Sequence, residues 1–284
     1  MEKIAIISDC NAGLDYVKGG ERIPVLRSVI NFGDEHYVDG TDIKADEFYK
    51  KLKEVDIIPS TSAPTIGEAM TLIESLIEKG YTDVIMYAIS YNLSSIGQMV
   101  ESLRSEYPQI NIHVVDTKMA TYMQGFLAME AKKMVDEGYS VKDILERTNY
   151  LLENSHAYFI VDDLRYLVKN GRLSGAQGFL GGLLKIKPVL ELTKDGRIVS
   201  KEKVKTFRRA VERGLELFLD EIGNHQKLKV LVLHTDRLDD AKKIAKSIRE
   251  RLSDRDLDVE ISTITPAVGA HIGCGVLGFG YFKL

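Results

Sequence analysis

Cysteine is scarce. Cys10 and Cys274 are the only two in 284 residues. Two cysteines make no disulfide framework, and neither has metal-ligand spacing. They read as reduced thiols of a cytoplasmic protein. No apolar stretch reaches the roughly 18 residues of a membrane span. The N-terminus MEKIAIISDCNAG lacks the charged and long apolar regions of a signal peptide. Charge of one sign is also lacking: 38 Lys+Arg against 42 Asp+Glu leaves a net charge of −4. No basic face is therefore offered to nucleic acid or to an anionic membrane, and membrane contact would be at most transient. Internal repeats, low-complexity segments and a Pro/Ser-rich linker are missing. So are the enzyme signatures: there is no Ser-His-Asp order, no HExxH and no His/Cys/Asp cluster.

What is present in the first half is an alternation of strand and helix signals. KIAII (3–7) is a short apolar run ending at Ser8-Asp9. Thr65-x-x-Glu68 fits a capping box, and Met70, Ile73 and Ile77 form a helical stripe stopped by Gly80. DVIMYAI (83–89) predicts a strand, 94–107 a helix, and NIHVV (111–115) a strand ending at Asp116. Residues 121–138 predict another helix, and Ser140-x-x-Asp143 caps the next. Apolar runs without alternation, separated by helices, argue for a parallel sheet covered on both faces.

The second half is patterned differently. DDLRYLVKNG (162–171) predicts a short helix with Asp162 as cap, followed by the Gly-rich apolar stretch 175–184. KPVLEL, Lys194-Asp195-Gly196 and RIVSKEKVKTF predict a hairpin with a type I′ turn. A helix over 207–222, strands over 229–234 and 258–264 with a helix between, and a closing strand VLGFGYF follow. The fold class is therefore α/β in two domains. Residues 1–155 form a Rossmann-like parallel-sheet domain and residues 156–284 an α+β domain.

Short polar loops follow several of these apolar runs. Thr61-Ser62 lie in IIPSTSAPT, Ser94 in ISYNLSS and His271 in PAVGAHIGCG. Ligands of open parallel sheets bind at the strands' carboxyl ends, where Asp9, Ser90 to Ser94 and Asp116 fall. Gathered by the fold, the hydroxyls and the imidazole would make a neutral hydrogen-bonding cup for an acidic head group. Each also has an ordinary role: Ser94 as a helix cap, Thr61-Ser62 as turn residues, His271 as a structural histidine in a Gly-rich turn. Gly273 to Gly278 matches GxGxxG but lies too near the C-terminus to open a βαβ unit. The stretch from Gly175 to Gly182 lacks the Gly-Lys-Ser/Thr of a P-loop. Asp162-Asp163 reads as a helix cap rather than a metal site.

Six blocks in order then resemble the DegV family, whose characterised members include the FakB-type fatty-acid-binding subunits of bacterial fatty acid kinase. IAIISDCNAGL resembles the family's opening strand with Asp-Ser. TSAPTIGE (61–68) resembles its Thr-Ser-x-Pro-Ser-x-Gly-Glu, and ISYNLSS (89–95) its Ile-Ser-Ser-x-Leu-Ser-Gly. VVDTKMATYMQG (114–125) resembles its Val-Asp-Ser-Lys segment. LRYLVKNGRLSGAQGFLGGLLKIKPVLEL (164–192) resembles Leu-x-Tyr-Leu-x-x-Gly-Gly-Arg-Ile-Ser through Leu-Leu-x-Ile-Lys-Pro, and AHIGCGVLG (270–278) resembles Ala-His-x-Gly-Pro-Gly. The resemblance implies a buried acyl chain, with the carboxylate held by Thr61, Ser94 and His271 and Ser62 adjacent. Arg172 and Lys205 match positions tied to partner or head-group contact. It implies no cofactor and no catalysis by this chain. Its partners would be a long-chain fatty acid and the catalytic subunit of a fatty acid kinase, which makes the acyl phosphate. Helices such as FLAMEAKKM (126–134) could line the tunnel. Two other readings are an enzyme acting on a small phosphorylated metabolite and a carrier of another hydrophobic acid. Tyr91, Asn92, Ser95, Ile96, Cys10 and Cys274 depart from the family's residues, and Lys205 stands where Arg is usual, which removes bidentate bonding there.

Overall fold

A computed structural model describes residues 2–175 and 186–284. Beyond Gly175, the Gly-rich stretch 175–184 lies outside the described residues. The elements in chain order are β1 (Ile4–Asp9), β2 (Val25–Leu26), β3 (Val29–Phe32), β4 (Glu35–Val38), α1 (Ala45–Glu54), β5 (Ser60–Ser62), α2 (Ile66–Glu78), β6 (Asp83–Ala88), α3 (Ile96–Ser102), β7 (Asn111–Asp116), α4 (Thr121–Asp136) and α5 (Val141–Glu153). They continue as β8 (Ser155–Ile160), α6 (Arg165–Lys169), β9 (Val189–Leu192), β10 (Ile198–Glu202), α7 (Phe207–Ile222), β11 (Lys227–His234), α8 (Leu238–Arg251), β12 (Asp256–Thr263), α9 (Pro266–Ile272) and β13 (Leu277–Lys283).

The first sheet has the order β2-β1-β6-β7 and every pairing in it is parallel. Its strands lack polar alternation because both faces are covered. Ala5 and Ile7 pack with Ile73 and Ile96 of α2 and α3. Ile4 and Ile6 pack on the other face with Leu127 of α4 and Ile144 of α5. The second sheet, β10-β9-β8-β13-β11-β12, is mixed, with only β11 and β12 parallel. One face carries α7 and α8, through Phe218 and Ile248. Its other face joins the α4 core through Leu231, Leu233 and Phe282. Helix α4 is thus sandwiched between the two sheets. A smaller antiparallel sheet, β4-β3-β5, packs against α1 and α9 through Ile30, Phe48 and Ala270.

Local chemistry sets the ends of these elements. Thr65 and Ser140 each close a reciprocal capping box, with Glu68 and Asp143. Four expectations need correction. The helix expected over 94–107 runs only Ile96–Ser102 before tightening into a 3₁₀ turn. Asp162 does not cap α6: the carboxylate of Asp163 accepts the Arg165 N–H, while Asp162 pairs with Arg237 and Lys187. The hairpin turn is not type I′, since only Gly196 takes a positive φ, +81°. Gly196 N–H donates to Thr193 O, and Thr193 N–H to Arg197 O, which is a three-residue loop closed by a bulge. Lastly, Thr61-Ser62 are strand residues of the small antiparallel sheet, and His271 sits in the last turn of α9 rather than in a Gly-rich turn.

Candidate functional site: a polar cup leading into an apolar cleft

The site lies at the carboxyl ends of β1 and β6, where open parallel sheets take ligands. Asp9, fully buried at the end of β1, organises it. Its carboxylate accepts from Asn11 N–H, Asn11 Nδ2, Ile89 N–H and Gln124 Nε2 at 2.7–3.1 Å. Burial raises its pKa against these bonds. The loop after β6 is fixed by Ser90, whose hydroxyl donates to Gly196 O (2.8 Å). A Cβ at Gly196 would lie 2.2 Å from Ser90 Oγ, so the β9–β10 hairpin docks there only with glycine.

A cavity of about 270 Å³ opens beside these loops, and its lining includes Asn11, Ser28, Thr61, Ser94, Arg172 and His271. Residues separated by more than two hundred positions meet here: Thr61 Oγ1 and His271 Nε2 are 2.7 Å apart. Ser94 lines the cavity but is not the cap of α3: the N-cap is Ser95, and Ser94 Oγ makes only a long contact with the Ile96 N–H (3.4 Å). Ser62 is not brought in. Alternation along β5 turns it to the exposed side, where it accepts from Asn31 Nδ2 (3.1 Å). Lys205 is exposed in the loop before α7 and does not line the cavity.

The cup is not neutral, as the sequence suggested, because Arg172 lines it. Its guanidinium donates to Leu93 O (3.2 Å) and Asn170 O (2.5 Å). Burial and the neighbouring Arg172 charge push the His271 imidazole down to about 4. At neutral pH the described residues of the cup therefore supply one fixed cation, a neutral imidazole and the hydroxyls of Ser28, Thr61, Ser94 and Ser95. Among the described residues, His271 Nδ1 is buried without a partner. In the tautomer with the proton on Nε2, the ring donates to Thr61 and the Thr61 hydroxyl proton is left for a ligand oxygen. The start of α9 is held by Asp39, whose carboxylate accepts the Ala267 N–H (3.0 Å) and is pushed up to about 7 by burial.

From the cup an apolar cleft runs inward. Leu93, Ala120, Ile198, Val268 and Ile272 line both spaces, and Met123, Phe159, Leu233 and Phe279 continue the cleft. Its lining is almost wholly carbon. Helix α4 contributes Thr121 and Met123; residues 126–134, expected to line the tunnel, do not, and Phe126 packs on Phe282 instead. Ala157 and Leu192 lead on to a second polar cavity with Lys118, Lys194 and His156. An amphiphile with a small acidic head and a long apolar tail matches the cup and the cleft in sequence. Among the described residues no group of His, Cys, Asp and Glu could hold a metal ion. No described helix is long and apolar enough to cross a membrane.

The family model described as uncharacterised protein, DegV family, matches residues 3–284. The chain belongs to the DegV family. A DegV domain-containing protein of Halalkalibacterium halodurans is 36% identical over 284 residues, covering 99% of both chains. Among solved structures, a fatty acid binding DegV family protein from Streptococcus agalactiae covers this chain and its own in full, at TM-score 0.89 and 29% identity. DegV from Bacillus subtilis, described as a fatty acid binding protein, matches with the same score, identity and coverage. Of the cup residues, sequence reasoning underrated Arg172 and missed Asn11 and Ser28. Asn11 stood in view inside IAIISDCNAGL, at the end of a parallel strand. Ser28 carried no signal, because 25–43 showed no periodicity that predicted the small sheet.

The His271 shift has a consequence for stability. Its folded pKa, about 4, lies below the ordinary 6.5. The unfolded chain takes up the proton first, so this contribution is intact above about pH 6.5 and is lost as pH falls through 4, up to about 3 kcal/mol. Replacing His271 with Asn should flatten the fall in thermal midpoint over that window. Equal slopes for wild type and His271→Asn would contradict the assignment.

Proposed function

We propose that this DegV protein binds a long-chain fatty acid, with the acyl tail in the cleft and the carboxylate at Thr61, Ser94, His271 and Arg172. The observation that carries this reading is the continuity of a polar cup holding the Arg172 cation with an apolar cleft through shared lining residues. Each methylene buried contributes about 0.8 kcal/mol, so the tail supplies affinity while the cup sets orientation. The fatty acid binding of the Streptococcus agalactiae and Bacillus subtilis relatives supports it. On this reading residues 1–155 and 156–284 are two domains with the lipid held between them.

The same reading makes the chain a non-catalytic carrier that offers the carboxylate to a fatty acid kinase. Its support is the order of the six family blocks, together with exposed Lys205 as a contact outside the cup. The test is a coupled assay. The protein with ATP, Mg²⁺ and oleate should form no acyl phosphate alone and should form it when a fatty acid kinase catalytic subunit is added. Ser94→Ala and His271→Ala should each lower oleate affinity by roughly tenfold or more, the loss of one hydrogen bond to a charged group. Acyl phosphate made by the chain alone would overturn the carrier reading. Unchanged affinity in both variants would overturn the cup.

A further inference from the structure

One side chain outside the cup bridges the segments that carry Thr61 and His271. Asn170 follows α6, and its Nδ2 lies 3.3 Å from Pro59 O, 3.1 Å from Tyr166 O and 3.2 Å from Ala270 O. Pro59 leads into β5 and Thr61; Ala270 precedes His271 on α9. The main-chain carbonyl of Asn170 accepts from Arg172. We infer that Asn170 positions the head-group cup, its one amide fixing the spacing between the strand that carries Thr61 and the helix that carries His271, and its carbonyl steering the Arg172 guanidinium. This rests on the fatty-acid reading of the cup.

Only the Tyr166 contact belongs to ordinary helix capping. The other two reach segments 111 and 100 positions away in sequence. Two amide hydrogens are shared among three oxygens at 3.1–3.3 Å, so the one amide group links α6, the segment before β5 and α9. β5 has only three residues and, among the described strands, pairs with β3 alone. Its far side depends on contacts of this kind. Gly171, at φ +69°, then reverses the chain so that Arg172 returns over Asn170, with Arg172 N–H bonding Leu167 O (2.9 Å). The family block quoted above has Gly at this position, so the clamp is a feature of this chain's own sequence.

The experiment compares the full-length protein with Asn170→Ala, Asn170→Gly and His271→Ala. Three quantities are read: the dissociation constant for radiolabelled oleate, the thermal midpoint, and the ¹⁵N resonances of the His271 ring across a pH titration. Loss of the clamp should weaken oleate about tenfold, the size of one hydrogen bond to a charged group. The His271 titration should move from about 4 back toward 6.5 as the ring and Arg172 separate and water enters. A residue that merely caps α6 would lower the midpoint and leave affinity and ring titration alone, and that result overturns the inference. Asn170→Gly retains the backbone and supplies the same readouts if Asn170→Ala does not fold. If His271→Ala weakens oleate and the folded Asn170 variant does not, only this inference fails. If His271→Ala also binds normally, the fatty-acid cup fails with it.

Discussion

Reversing the charge of Arg172 should nearly abolish fatty-acid binding. Arg172→Glu removes the one cation among the described residues of the cup and puts a carboxylate opposite the ligand's own. Losing a charge-assisted hydrogen bond in a buried site costs about 1.5–3 kcal/mol, and like-charge repulsion adds to it. The expected loss of oleate affinity is on the order of 100-fold or more. Lys205→Glu gives the contrast, because Lys205 is exposed and outside the cavity. It should leave oleate affinity nearly unchanged while lowering turnover by an added kinase. Equilibrium binding of oleate to both variants checks this. An Arg172→Glu protein that binds like wild type would remove Arg172 from the cup.

Lengthening the tail should strengthen binding by an even larger factor. Octanoate and palmitate share a head group and differ by eight methylenes. At about 0.8 kcal/mol for each one buried, the difference approaches 6 kcal/mol, on the order of 10⁴-fold, before the cost of ordering the tail. The gain should stop at the length that fills the cleft to Phe159 and Phe279. A calorimetric series of saturated acids reads the slope and the break. Affinity independent of chain length would mean that the tail does not enter the cleft.

The parallel sheet was legible because its strands are buried on both faces and therefore carry unbroken apolar runs, as β6 does from Val84 to Ala88. Capping boxes at Thr65 and Ser140 announced their helices for the same local reason. The small sheet β4-β3-β5 was not legible. β5 has three residues, and its pairing with β3 spans about thirty positions, so nothing local distinguishes it from a turn. The cup was half legible. Ser94 and Asp9 stand at strand ends, where a parallel sheet predicts a ligand. The Thr61–His271 contact crosses 210 positions and needs the small sheet to exist. The charge of the cup was legible only through the family resemblance, which tied Arg172 to partner or head-group contact; no local pattern marks this arginine as part of a site. Only the left-handed turn at Gly171 and the bonds to Leu93 O and Asn170 O bring it inward.

The most direct measurement is a crystal structure of the protein after incubation with oleate. The carboxylate should lie within hydrogen-bond distance of Arg172, His271 or Thr61, and Ser94, with the tail passing Ala120, Val268 and Ile272 toward Met123 and Phe279. An empty cleft in protein that also releases no fatty acid on organic extraction would contradict the account. So would a lipid bound in reverse, its carboxylate beside Lys118 and Lys194 at the other end of the cleft.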